Sequence, residues 1–277
     1  MTTDAPQRAF PFLRLNERPG KPRTVGLTEI RGPYYTSFGP DHLLDLLDSV
    51  GPHVDIFKFP GASMPLMSET TLRKFIDGCH ERQVEVSTGG LIEFVLTRGP
   101  EAVDKYFEAI KNYEFDIVEI SVGMLAITSD DYLRLIERGA KAGLKVKAEI
   151  GIQFGAGGTT SIEELASEGQ GDPGWAIARA RRALDAGADL IMMESEGVTE
   201  QVNTWRTDVP AAFINEFGLE KVMFEGADPA VFEWYVKNYG PEVNLFIDHS
   251  QIYQLECLRA GIWGTKSTWG RVVSYKG

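Results

Sequence analysis

Short apolar runs rich in β-branched residues recur at a regular beat along the chain. They are TVGLTEI (24–30), VDIFKF (54–59), VEVST (84–88), DIVEIS (116–121), KVKAEIG (145–151), LIMMES (190–195), KVMFEG (221–226) and NLFIDHS (244–250). Most are apolar at consecutive rather than alternate positions, the pattern of parallel strands covered on both faces. Longer amphipathic segments with helix punctuation separate most of them. HLLDLLDSV follows Gly39–Pro40 and ends at Gly51. Thr128 and Asp131 form a capping-box-like start to a helix that stops at Gly143. Asp172–Pro173 and Asp228–Pro229 each place an N-cap before a proline at the first helical position, and Gly187 and Gly240 close those helices. Eight strand signals alternating with helix signals predict an α/β fold, a single (β/α)8 barrel. Residues 1–22, rich in proline and arginine, read as an N-terminal extension and 23–277 as the barrel.

Composition narrows the function classes. The 277 residues are 43% hydrophobic and 25% charged, with a formal charge of −12. An acidic surface disfavours nucleic acid and anionic membrane as partners. No apolar run is long enough to cross a bilayer, and MTTDAPQRAF lacks the apolar core of a signal peptide, so the expected location is the cytoplasm. Cys79 and Cys257 have no metal-ligand spacing and read as reduced thiols.

In such a barrel, chemistry sits at the carboxyl ends of the strands. Seven of the eight runs carry an ionisable residue there: Glu29, Lys58, Glu119, Glu149, Glu194, Glu225 and Asp248. The remaining run ends in Ser87–Thr88–Gly89–Gly90. One glutamate in an apolar run reads as an accident of register, whereas several at equivalent positions read as a shared acidic site. Carboxylates crowded at one mouth need positive charge among them. Lys58 supplies one, and an all-oxygen set points to Mg2+, with Mn2+ as the alternative. The expected ligand is therefore a small anionic, phosphorylated molecule. Gly89–Gly90 is a candidate phosphate cradle, and Gly155-Ala-Gly157–Gly158 reads equally as cradle or flexible lid. His249, beside Asp248 at a strand end, is a candidate for acid–base work, while Arg31, Lys147, Arg206 and Lys266 are further sources of positive charge.

With these residues laid out, the chain resembles the phosphosulfolactate synthase family. The matching stretches include VDIFKFPGAS (54–63), VSTGGLIE (86–93), VEISVG (118–123), GLKVKAEIG (143–151), LDAGADLIMMES (184–195) and ECLRAGIWG (256–264), in order through nearly the whole chain. The resemblance implies a (β/α)8 barrel, a homo-oligomer, and magnesium-dependent addition of sulfite to phosphoenolpyruvate. It carries over to Lys58, Gly89, Gly90, Glu119, Glu149, Glu194, Glu225 and Asn244, with Glu119, Glu149, Glu194 and Glu225 as the implied metal ligands. Two places depart from the archaeal pattern. Ile152–Gln153 stands where those enzymes carry lysines, one of them a general-acid candidate, and Gln153 is the corresponding catalytic candidate here. Glu196 stands where they carry arginine, which removes cationic grip on an anion. These departures match the bacterial, fungal and plant branch, which includes a plant heat-stress-associated protein. The alternatives are a barrel enzyme of different chemistry on the same acidic metal site and a non-catalytic stress-associated binding protein.

Overall fold

A computed structural model of the chain describes residues 8–153, 160–167, 169, 171–226 and 228–275. Eight parallel strands close on themselves in sequence order, each paired with the next and the last paired with the first. They are β1 (Thr28–Arg31), β2 (Ile56–Lys58), β3 (Glu85–Ser87), β4 (Ile117–Ile120), β5 (Lys145–Ile150), β6 (Leu190–Met193), β7 (Val222–Glu225) and β8 (Asn244–Asp248). The outer layer contains α1 (Pro40–Val50), α2 (Glu69–His80), α3 (Leu91–Leu96), α4 (Pro100–Asn112) and α5 (Ser129–Lys141). It continues through α6 (Ile162–Ser167), α7 (Pro173–Asp185), α8 (Asp208–Phe217), α9 (Pro229–Tyr239) and α10 (Ile252–Arg259). The predicted caps on α5 and α7 form: Thr128 accepts from the Asp131 N–H at 3.1 Å and Asp172 from the Gly174 N–H at 2.9 Å. Asp228 occupies the N-cap position of α9 without a side-chain cap bond.

Strand alternation divides the core in two. Ile30, Phe57, Val86, Val118, Val146, Ile191, Phe224 and Leu245 point outward and pack against the helices. A small apolar cluster of Ile56, Ile117, Met192, Met223 and Phe246 fills the lower interior. Above it the inward positions turn charged: Glu29, Lys58, Glu119 and Lys147 are all buried inside the barrel. The glutamates of the apolar runs therefore point inward, not between strand and helix.

The amino ends of the strands are held by a repeated device. Asp55, Asp116, Asp189 and Asn244, at the starts of even-numbered strands, each accept the N–H of a residue at the start of a neighbouring odd-numbered one. The partners are Thr28 (2.9 Å), Val86 (2.7 Å), Val146 (2.8 Å) and Leu27 (2.8 Å). Each bond satisfies a main-chain donor at the edge of the ladder. Asn244 goes further and donates to the carbonyls of Leu219 (2.7 Å) and Val222 (3.2 Å). Its place in the expected substrate site is thus corrected: Asn244 lies at the opposite end of the barrel, and both ends of its amide are used in bonding the main chain. Asn244→Ala is expected to cost about 2–4 kcal/mol in a urea melt, since it strands several buried backbone groups, while leaving ligand affinity at the mouth unchanged.

Residues 8–22 form no helix or strand. Asn16 ties them to the C-terminal segment through the carbonyls of Arg259 (2.9 Å) and Val272 (2.7 Å), and Arg18 pairs with Glu256 of α10.

Candidate active site

At the carboxyl end of the barrel, Lys58 is the central cation. Its ammonium lies 2.8 Å from Glu119 and 3.9 Å from Glu149, and 4.4 Å from the centre of the Phe246 ring beneath it. Burial works against this charge. Glu119, Glu149, Glu29 and Glu225 together outweigh burial and hold the amine protonated, above its ordinary range. Lys147 lies deeper, fully buried, bridging Glu29 and Glu119. Lys58, Glu119, Lys147 and Glu29 thus form one chain of alternating charge through the barrel interior. Glu119 contacts both ammonium groups, the second at 2.9 Å. Burial raises its pKa, but the two lysines overcome that and hold it below the usual range.

The other predicted carboxylates form two groups. On one side, the Ser121 hydroxyl sits 2.7 Å from Glu149 and also against Glu93, while Glu93 accepts the Met124 N–H at 2.9 Å. One hydroxyl proton cannot serve two carboxylates, so this group favours an additional proton. Burial first, then the Glu119 charge, pushes the Glu149 carboxyl up to about 7 against the pull of Lys58. Across the mouth, Glu194 is hydrogen-bonded to Glu225, and burial together with that neighbour raises Glu194 well above the carboxylate range. Glu225 also pairs with Arg31, whose guanidinium lies over Tyr35 (5.0 Å) and Phe246 (4.8 Å). Gly89 and Gly90 border the same space. A Cβ on Gly89 would collide with the Phe59 carbonyl and stand 3.5 Å from the Lys58 side chain, and the φ of +58° there suits glycine.

The expected ring of four metal-binding glutamates is corrected. Among the described residues no three acidic or histidine side chains converge on one point. Glu119 is engaged by two lysines, which removes it from the set. Glu194 and Glu225 are different: two adjacent carboxyl groups, one of them paired with Arg31, offer the all-oxygen surroundings a hard divalent cation takes. Magnesium commonly uses one or two carboxylates and completes its shell with substrate and water, so the donors present fit it.

Two catalytic candidates are also corrected. Gln153 donates its amide to the carbonyls of Leu165 in α6 (3.0 Å) and of Gly169, so it is not free to serve a substrate. His249 sits one residue past the inward-facing Asp248 and therefore points the other way. Its ring packs on Phe38 with centroids 4.4 Å apart and lies near His42. Burial, against Asp248 and reinforced by His42, lowers its pKa. Gly157 and Gly158 lie outside the described residues. The acid at the arginine place, Glu196, accepts the Thr160 N–H at 2.9 Å. Of the other cations, Arg206 pairs with Asp208 at 2.7 Å, and the neighbours of Lys266 bond Glu233 on α9.

Sequence reasoning missed Glu93, Ser121 and Phe246. Ser121 and Phe246 stand two residues from Glu119 and Asp248, on the same face of their strands, so period-two alternation alone would have found them. Glu93 lies in the first turn of α3, off any strand, and carried no such signal.

The match with the (2R)-phospho-3-sulfolactate synthase (ComA) family model spans residues 16–265. The chain belongs to the phosphosulfolactate synthase family. The Arabidopsis thaliana protein HEAT-STRESS-ASSOCIATED 32 is 37% identical over 258 residues, covering 90% of each chain. Phosphosulfolactate synthase of Methanothermobacter thermautotrophicus is 27% identical over 271 residues, covering 95% of this chain and 98% of that one. Phosphosulfolactate synthase of Methanocaldococcus jannaschii is 23% identical over 241 residues, covering 84% and 90%. The family model describes a synthase, which supports enzymatic activity for this member. No helix among the described residues is long and apolar enough to cross a membrane.

Proposed function

We propose that this member of the phosphosulfolactate synthase family is a magnesium-dependent carbon–sulfur lyase that adds sulfite, or a related nucleophile, to phosphoenolpyruvate or a close relative. The observation that carries the reading is the charge inventory of the mouth. Arg31, Lys58 and Lys147 face Glu29, Glu119, Glu149, Glu194 and Glu225, with Glu93 at the rim. Even with Glu149 and Glu194 protonated, the three cations are matched by Glu29, Glu119 and Glu225, so a further cation favours an anionic substrate in this mouth.

Glu194 and Glu225 would hold the metal, which when bound polarises the carboxylate end of the substrate. Lys58, fixed in its charged form, binds and orients that anion. Phe246 and Gly89 leave it a flat, close-fitting floor. The nucleophile's sulfur bonds to the methylene carbon, the carbon–carbon double bond becomes single, and the electron pair gathers on the phosphate-bearing carbon. That carbon then takes a proton. Glu149, held protonated by its surroundings and linked through Ser121 to Glu93, is the residue of this chain suited to deliver it, in the role the archaeal pattern gives to lysine.

The pH dependence follows from the sign of the shift. A general acid works only while protonated, so turnover is expected below about 7 and declines above it, as the Glu149 carboxyl ionises. Glu149→Gln is expected to lower kcat by about 10²–10⁴-fold and to abolish that limb of the kcat profile. A rate that keeps climbing through pH 8 in the wild type would remove Glu149 from this role.

Binding is tested by thermal unfolding with Mg2+ and phosphoenolpyruvate, separately and together. The pair should raise Tm more than the sum of the two, because each completes the other's site. Stabilisation by Mg2+ with none from phosphoenolpyruvate would favour the second reading, the same metal site serving another substrate. Glu196 and Gln153 support that alternative, since the archaeal cations at their places are gone.

A further inference from the structure

A second concave space lies at the opposite end of the barrel. A cavity of about 600 Å³ opens at the amino ends of the strands, walled on one side by Lys21, Pro22, Arg23 and Thr24 of the N-terminal segment. That volume lies within the range of small-molecule sites. Its apolar surface comes from Leu27, Ile56, Ile117 and Leu190, at the lower end of the barrel interior. The wall is anchored: Arg23 bonds Asp55 at 2.8 Å and the Pro52 carbonyl, and Lys21 donates to the Gln83 carbonyl at 3.0 Å.

The charges around it are unequally satisfied. Asp55, Asp116 and Asp189 each cap a strand N–H, Lys145 pairs with Glu85, and Lys147 turns inward to Glu29 and Glu119. Lys21 is the exception among the half-buried cations. Among the described residues no carboxylate lies within ion-pair distance of it, and its ammonium has only the Gln83 carbonyl. Burial outweighs the more distant Asp55 and, with Arg23 and Arg18 nearby, lowers its pKa to about 8. A half-buried ammonium without a counter-charge is what an incoming carboxylate would stabilise. The acids around the rest of the rim oppose a polyanion, which limits the ligand to a single negative charge.

We infer that this cavity binds a small organic monoanion, a carboxylate on an apolar skeleton, with the acid at Lys21 and the skeleton over Leu27, Ile56, Ile117 and Leu190. The site is separate from the mouth and does not depend on the reaction there. Benzoate, with benzyl alcohol as its uncharged counterpart, is the probe. In amide NMR titrations of the full chain, benzoate should shift the signals of residues 21–24, Gln83 and Leu190 saturably. Benzyl alcohol should bind there at least about tenfold more weakly, the factor expected for one charge-assisted hydrogen bond. Lys21→Gln, which keeps a donor for Gln83, should weaken benzoate by a similar factor. In the wild type, the Lys21 ammonium followed through an isotope-labelled ε-carbon should titrate above its free value of about 8 once benzoate is saturating. Benzoate shifts confined to the mouth or absent, equal affinity for benzyl alcohol, or an unmoved Lys21 titration would each overturn the assignment.

Discussion

Lys147→Met is expected to lower the free energy of unfolding by about 3–5 kcal/mol at pH 8, the cost of removing one partner from a buried ion pair. Lys147 bridges Glu29 and Glu119, and all three side chains are buried. Glu119 keeps Lys58 at 2.8 Å, so the loss falls mainly on Glu29, whose second oxygen already lacks a hydrogen-bond partner. The deficit should depend on pH in one direction. Burial raises Glu29 above the ordinary carboxyl range despite the two lysines, and removing one raises it further. A carboxyl with a raised folded-state pKa contributes its stability fully below the unfolded value and loses it as pH rises through the folded one. Urea melts should therefore show a smaller deficit at pH 5 than at pH 8. Adding Glu29→Gln should recover much of the pH 8 loss. A deficit that is the same at both values, or unrelieved in the double variant, would show that Lys147 acts through packing.

Lys58→Met carries the other large effect, and it falls on chemistry. Without that ammonium the substrate anion loses the central cation of the mouth, because Lys147 stays committed to Glu29 and Glu119 and Arg31 to Glu225. Turnover is expected to fall by at least about 10²–10³-fold, the scale for losing one preorganised electrostatic contact. Thermal protection by phosphoenolpyruvate should vanish with it. The stability change should be the smaller of the two lysine variants, because Glu119 retains Lys147 and Glu149 takes up a proton. Unchanged protection by phosphoenolpyruvate in Lys58→Met, measured beside its melting curve, would place the anion elsewhere.

The barrel was legible because a parallel strand buried on both faces leaves a long apolar run, and eight such runs in order admit few other architectures. The inward direction of the strand-end glutamates was legible for a related reason, since outward burial would have cost several unpaired charges. What one strand cannot show is which charges meet across the barrel. Glu119 reads like Glu194 or Glu225 in sequence, yet the long side chains of Lys58 on β2 and Lys147 on β5 reach it and make it a counter-ion. Asn244 and His249 failed differently. Asn244 begins its strand instead of ending it, and His249 is one step out of phase with Asp248, so position and parity already opposed both. Gln153 could not have been placed, because its partners, the carbonyls of Leu165 in α6 and of Gly169 beyond it, lie twelve and sixteen residues on and no local pattern links them to it.

The most direct measurement incubates the purified protein with MgCl2, phosphoenolpyruvate and sulfite near neutral pH and looks for phosphosulfolactate by mass spectrometry. The proposed function predicts that product from the wild type, its loss on chelation of the metal, and its near absence with Lys58→Met. Phosphoenolpyruvate recovered unchanged from folded wild-type protein, with Mg2+ and with Mn2+ alike, would contradict it.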